Sequence, residues 1–329
     1  MNEQVSSSAQ DAREGAGALP NPAEFARRVR INSLAELYLA GSGHPGGALS
    51  AADILAVVFS RAVHRDTLRG ETRDRFVLSK GHSCPALYAA GAEVDLLPHA
   101  ELAGLRKFGS ALQGHPHIGK LPWVETSTGS LGQGFSVAVG IALGLRHTHN
   151  PGRVTVMLGD GELQEGEVWE AAMFAAHRGL ANLCAIVDYN RMQSDDLSEN
   201  IVRLEPLADK WRAFNWHTLE CDGHNPAQIA QALDAAEAET QRPTVIIAHT
   251  LKGKGVSYME GSPLWHGSVK LSADQLTTAL GELGVPADLF PAYLDGSVWA
   301  GEAGEADEAG EADVADVADE AGEAGEAAR

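Results

Sequence analysis

Cysteine is scarce in this 329-residue chain: Cys84, Cys184 and Cys221 are its three, scattered and with no CxxC pair. That argues against a disulfide scaffold and a structural zinc site, and it fits a reducing compartment, so a cytoplasmic location is expected. Long apolar runs are missing as well; no stretch reaches the roughly 18 residues that suggest a membrane span. The first twenty residues lack a positively charged start followed by an apolar block, so no secretory leader is expected. Basic charge is in deficit. Twenty-five Lys and Arg face 45 Asp and Glu for a net charge of −20, which argues against nucleic acid as a main partner.

Much of the negative charge is local. The last 29 residues hold eleven acids and one arginine, which leaves the remaining body at −10. That segment is of low complexity, lacks aromatics and cannot bury a core, so it is expected to be disordered, serving solubility or docking a basic partner. The expected organisation is a flexible leader over 1–20, one large domain over 21–295 and an acidic tail over 296–329.

Within the domain, helical and strand-like patterns alternate. AEFARRVRINSLAELYLA (from 23) and ALSAADILAVVFSRAV (from 48) carry apolar residues at helical spacing, separated by the glycine-rich break GSGHPGG. RFVLS (75–79), RVTVMLG (153–159), NLCAIVDY (182–189) and PTVIIAHT (243–250) are short apolar runs. The last three are nearly continuous, the pattern of strands buried on both faces of a parallel sheet. Helical segments lie between them. The order predicts an α/β fold, a doubly wound, mainly parallel sheet with helices on both faces, whose ligands sit at the carboxyl ends of the strands.

At one such end stands Gly159-Asp160-Gly161, which by itself reads as a tight turn. The next apolar run ends in Asp188-Tyr189-Asn190, so adjacent strand ends can set Asp160 beside Asn190. A carboxylate oxygen, an amide oxygen and a nearby backbone carbonyl make a hard-oxygen set suited to Mg²⁺, with phosphate oxygens and water completing the shell.

Six motifs then fall in one order: SGHPGG (42–47), FVLSKGHSCPALY (76–88), QGHP (113–116), STGSLGQG (127–134), GDGELQEG (159–166) and LKGKGVSYMEGSPLWHG (251–267). Together they resemble the N-terminal, diphosphate-binding domain of the transketolase family over about residues 23–290. The resemblance implies thiamine diphosphate and Mg²⁺ as cofactors and transfer of a two-carbon ketol unit from a ketose to an aldose. It implies Asp160, Asn190 and the Met192 carbonyl as metal ligands. Gly159 and Gly161 match the diphosphate turn, and His82, Lys252 and His266 match contacts to cofactor phosphate or substrate. Gly129, Ser130 and Leu131 match the loop against the cofactor rings. His44, His115 and His266 are implied as the catalytic histidines. Glu165 and Glu170 stand where the family places interface and cofactor-supporting carboxylates.

A histidine after a glycine is most often a surface residue, yet His44, His82, His115 and His266 all lie in glycine-rich turns of the motifs. His64, His99, His147, His149, His177, His217, His224 and His249 have no such context and read as structural or solvated; His117 reads either way. Trp169 and Trp265 read as packing residues, and Lys254 as a solvated neighbour of Lys252.

Full-length members of the family carry two further domains, one bringing the glutamate that activates the cofactor, and the resemblance leads to the expectation that these lie on another chain. The expectation is one subunit of a split transketolase, working with a separate C-terminal subunit, most simply as α2β2. RMQSDD follows Asn190 where split transketolases usually have a sequence close to GLQIDG, so Ser194 and Asp196 depart from the pattern, as does Trp123. These changes leave the substrate open and allow a diverged two-carbon or acyl transferase of specialised metabolism. A 2-oxo acid dehydrogenase α-type chain also pairs GDG with a downstream Asn but does not explain SGHPGG or the KGKG…WHG segment, and SGHPGG disfavours a deoxyxylulose phosphate synthase type. A silent scaffold subunit is disfavoured by the retained ligands and histidines.

Overall fold

The computed structural model describes residues 21–302 apart from residue 195; the expected leader and most of the expected acidic tail lie outside the described residues. The apolar runs form strands β1 (Arg75–Leu78), β2 (Val154–Gly159), β3 (Leu183–Tyr189) and β7 (Thr244–His249), with a fifth sheet strand, β6 (His217–Asp222), at one edge. The sheet order is β1-β2-β3-β7-β6, and every neighbouring pair is parallel. A two-residue-per-strand hairpin, β4 (Met192–Gln193) and β5 (Asp196–Leu197), follows β3 outside the sheet. HTLECD was not foreseen as a strand. It is an edge strand with mostly half-exposed residues, so it lacks the continuous apolar signature of its neighbours.

The helices are α1 (Pro22–Ala40), α2 (Pro45–His64), α3 (Cys84–Ala92), α4 (Gln133–His147), α5 (Gly166–His177), α6 (Ser198–Ile201), α7 (Leu207–Ala213), α8 (Pro226–Ala238), α9 (Ala273–Glu282) and α10 (Phe290–Asp295). Local chemistry sets their ends. Asn21 Oδ1 accepts from the Glu24 amide at 3.0 Å, Pro22 opens α1, and Gly41 closes it in the left-handed conformation at φ 69°, as capping preferences dictate. The chain then needs only three residues before Pro45 opens α2. The short break between the two helices therefore fixes where Ser42, Gly43 and His44 stand.

Period-2 alternation explains why the strands are apolar throughout. Val154, Val156 and Leu158, Leu183, Ala185 and Val187, and Val245 and Ile247 enter one core with α4, α5 and α7. Met157, Cys184, Ile186, Ile246 and Ala248 enter the other with α1, α2, α3, α8 and α9. Helices thus cover both faces, as the pattern predicted. The first core is completed by an aromatic cluster: Trp169 stacks 5.1 Å from Trp211, which lies 4.9 Å from Trp216. Trp169 Nε1 also donates to the Leu163 carbonyl at 2.8 Å, so it packs, as expected.

Two expectations are adjusted. Helix α2 is long and apolar enough by length and composition to cross a membrane, but most of it is buried within the fold as a core helix. The folded body also runs past residue 295. Trp299, in a short 3₁₀ turn at Ser297–Glu302, is 4% exposed and donates to Asn32 Oδ1 at 3.2 Å.

Candidate active site

A parallel sheet brings all strand carboxyl ends to one edge, and that edge carries the motifs. β1 runs into Ser79-Lys80-Gly81-His82, β2 into Asp160-Gly161, β3 into Asn190 and β7 into Thr250-Leu251-Lys252. Register places Gly159 opposite Asp188, so the β2 and β3 loops leave the sheet side by side.

Asp160 meets the loop that follows Asn190. Asp160 is 2% exposed. Its Oδ1 accepts from the Gly161 amide at 2.8 Å, and its Oδ2 accepts from the Arg191 amide in the loop after β3. That loop turns through Arg191 in the left-handed conformation at φ 64°, and the Met192 amide donates to Asn190 Oδ1 at 3.1 Å. Burial, then the charge of Asp188, push the Asp160 carboxyl up to about 7, against the amides of Gly161 and Arg191 and the ammonium of Lys80. A cation beside Asp160 would offset that penalty. No group of three or more His, Cys, Asp or Glu side chains suited to a metal occurs among the described residues. An ion held by Asp160, Asn190 and a backbone carbonyl would leave positions for ligand oxygens, which fits Mg²⁺ and a diphosphate. A side chain at Gly161 would meet Gln193 at 2.9 Å, so the turn has room for a close backbone approach only as glycine.

The four motif histidines converge. His44 lies 5.3 Å from His82, 6.2 Å from His115 and 5.7 Å from His266 between ring centroids, and His82 lies 5.3 Å from His266. Lys252 Nζ is 2.7 Å from His266 Nδ1. Gly129 (φ 148°) lies so close to His115 that a Cβ there would stand 3.1 Å from its ring, which places the 129–131 loop against the cluster. His44 Nδ1 is buried without a partner. With Ser194, Pro263, Leu264, His266, Gly267 and Ser268 it lines a cavity of about 450 Å³.

The electrostatics keep these imidazoles neutral. Burial, then Arg106, His115 and Lys252, lower His44 to about 4; burial, then Lys252, His44 and Lys80, lower His266 to about 3. Burial and Lys80 hold His82 well below its ordinary value, and burial with Arg106 lowers His115. A neutral imidazole offers one donor and one acceptor, the equipment for passing protons to and from hydroxyl and carbonyl oxygens.

Two supports were not foreseen. Lys80 and Asp188 form a fully buried ion pair; Lys80 Nζ also donates to the Gly47 carbonyl at 3.2 Å, while Asp188 accepts from Ser50 Oγ at 2.6 Å and from Thr250 Oγ1. Burial would push Asp188 up, but Lys80 and the two hydroxyls hold its carboxyl below the usual range. Glu162, 2% exposed, accepts from Ser79 Oγ, the Gly132 amide at 2.9 Å and the Gly159 amide at 3.1 Å. It staples three motif loops together. The available signal was charge at the end of buried apolar runs, which demands a partner.

Other expected residues stand apart. Glu165 and Glu170 are exposed on the α5 side, Glu165 beside Gly132, and neither joins the histidine cluster. Ser130 is exposed and Leu131 half-buried in the loop that ends against His115. Asp196 accepts from the Leu197 amide at 2.7 Å and from Asn200 Nδ2 at 3.1 Å, bracing α6. Trp123 packs on α3, where a Cβ at Gly91 would meet its ring at 2.9 Å. His117 is exposed, and Lys254 is a half-exposed partner of Glu260.

Known proteins carry the same pattern. The family profile described as transketolase, thiamine diphosphate binding domain, matches residues 22–295. The 6-deoxy-6-sulfo-D-fructose transketolase subunit SqwG of Clostridium sp. (strain MSTE9) is 43% identical over 257 residues, 78% of this chain and 93% of the relative. The transketolase of Mus musculus is 44% identical over 247 residues, covering 74% of this chain but 39% of its own length. The solved transketolase from Leishmania mexicana superposes with a TM-score of 0.74 at 27% identity, over 86% of this chain and 46% of that one. The chain therefore spans less than half of these longer proteins and nearly all of the Clostridium subunit.

Two outcomes follow. Lys80→Met leaves Asp188 charged and buried, so denaturant unfolding should show a loss of about 3–5 kcal/mol; adding Asp188→Asn should recover part of it. His44 is neutral in the folded state down to about pH 4, whereas an unfolded histidine titrates near 6.5. The unfolded chain then binds more protons between those values, so stability falls on acidification through that window. His44→Gln should make that fall shallower by nearly one proton, read from unfolding free energies at successive pH values.

Proposed function

The chain belongs to the transketolase family, its residues 22–295 forming the thiamine diphosphate binding domain, and from that premise we propose that it is the diphosphate-binding subunit of a two-chain transketolase. The reaction is transfer of a two-carbon ketol unit from a ketose to an aldose. The observation that carries the reading is the meeting of Asp160 with the Asn190–Met192 loop at the sheet edge that also gathers three neutral histidines around His44. The Clostridium relative, named as a transketolase subunit and matched over 93% of its length, supports a separate partner. That partner would be a C-terminal subunit bringing the activating glutamate, in an α2β2 assembly. Three buried free cysteines suit a reducing cytoplasm.

Asp160, Asn190 and the Met192 carbonyl would hold Mg²⁺, with Gly159 and Gly161 against the diphosphate. Thiamine diphosphate, when bound, supplies the carbon nucleophile that ketol transfer requires. Lys252 places positive charge beside His266, where an anionic cofactor or substrate group is stabilised. His82 is held neutral by burial and by the charge of Lys80, so it can donate a hydrogen bond to the ligand without adding charge.

His44, which lines the cavity, lies edge-on to His115 at 6.2 Å, and both are held neutral. In that state each accepts a proton from a substrate hydroxyl at one ring nitrogen and returns it to an oxygen later, general acid–base work. Ser194 and Leu264 line the cavity mouth and bear on which sugar fits.

The test is reconstitution. Mixed with a C-terminal transketolase subunit, thiamine diphosphate and Mg²⁺, the chain should turn over a ketose donor with ribose 5-phosphate; the donor panel includes 6-deoxy-6-sulfo-D-fructose, after the relative's name. Either subunit alone should give no turnover. Turnover by this chain without a second protein would refute the split-enzyme reading.

A further inference from the structure

His224 stands outside the four-histidine cluster, just past the end of β6, yet both of its ring nitrogens are engaged. Nδ1 lies 2.7 Å from Asp53 Oδ2, and Nε2 receives the Leu251 backbone N–H at 2.8 Å. A backbone amide can only donate, so Nε2 carries no proton and the ring is the Nδ1–H tautomer donating to Asp53. Asp53 is 6% exposed, and the same carboxylate oxygen accepts from Arg30 Nη2, while Arg30 Nε donates to the Leu49 carbonyl at 3.2 Å. The His224 amide is tied in turn to Asp222 Oδ1 at 2.9 Å. A line of side chains thus runs from α1 and α2 through the β6–α8 turn to the segment after β7.

What it reaches is the first amide beyond the sheet. The Thr250 amide still donates to the Tyr189 carbonyl at 3.1 Å. Leu251 lies past that ladder, and a half-buried amide there needs an acceptor from elsewhere. The next residue is Lys252, which meets His266 at 2.7 Å, and Gly253 donates to the Gly46 carbonyl at 3.0 Å in the His44 motif. The orientation of Leu251 therefore sets the entry of the whole 251–267 loop into the site.

We propose that His224 is a positioning residue for this loop: its unprotonated Nε2 anchors Leu251, and through it sets Lys252 and His266 toward the cofactor. The part concerning the cofactor rests on the reading of Lys252 and His266 given above. A side-chain amide also offers one donor and one acceptor, so glutamine can replace the imidazole here and alanine cannot.

The experiment uses the full chain. In the wild type, nitrogen-detected histidine spectra at neutral pH should show His224 with Nδ1 protonated and Nε2 bare; a protonated Nε2 overturns the proposal without any variant. Hydrogen exchange at the Leu251 amide should accelerate about tenfold in His224→Ala, the scale of one lost hydrogen bond, and return to near the wild-type rate in His224→Gln. Unchanged exchange in His224→Ala, or equal acceleration in both variants, overturns it. Should the alanine variant not fold, the glutamine variant and the tautomer still decide. Thiamine diphosphate affinity of the chain paired with its C-terminal subunit should fall in His224→Ala and recover in His224→Gln. Loss of the Leu251 bond with unchanged affinity defeats the positioning role, whereas a wild-type pair that binds no cofactor defeats the reading of Lys252 and leaves the His224–Leu251 anchor standing.

Discussion

Everything at the carboxyl edge of the sheet hangs on the buried pair of Lys80 and Asp188. The carboxylate sits in the interior with no exposed surface, and three separate parts of the chain are drawn to it: Lys80 after β1, Ser50 on α2 and Thr250 after β7. Lys80 in turn reaches the Gly47 carbonyl. One charge therefore gathers the segments that carry His82, His44 and Lys252 around β3. Such a pair is weak evidence for stability, because desolvating two ions costs several kcal/mol each. Its consequence is geometric: each partner is tolerable only in the arrangement that satisfies the other.

The same interior charge shapes the chemistry of its neighbours. Asp188 raises the cost of ionising Asp160, and Lys80 raises the cost of protonating His82 and His266. The edge is thus divided into a carboxylate short of a cation and a set of imidazoles held neutral. A diphosphate carrying a divalent ion answers the first need, and a polyhydroxylated substrate answers the second. Glu162 keeps the two regions in register by joining the loops of Ser79, Gly132 and Gly159.

Much of this was legible in the sequence. Strands β2, β3 and β7 show as continuous apolar runs because both faces are buried, and the histidines show because each sits in a glycine-rich motif. β6 was not legible, since an edge strand with half-exposed residues looks like loop. Lys80 and Asp188 were written in quoted motifs but carried no visible role, because a charge at a strand end looks like a terminus until its partner is known. Glu162 was hidden among the acids of GDGELQEG. His224 read only as structural or solvated, because its partners, Asp53 and Leu251, lie 171 and 27 residues away. Asp196 and Trp123, by contrast, looked like departures that could reshape the site, and both turn out to brace local structure.

The central claim is that Asp160 anchors thiamine diphosphate through a divalent ion on this chain. Calorimetric titration of the cofactor into the chain mixed with a C-terminal transketolase subunit, with and without Mg²⁺, tests it most directly. The account predicts saturable binding that requires Mg²⁺ and disappears in Asp160→Ala while the pair stays assembled. Binding that is indifferent to Mg²⁺, or undiminished in Asp160→Ala, would contradict it.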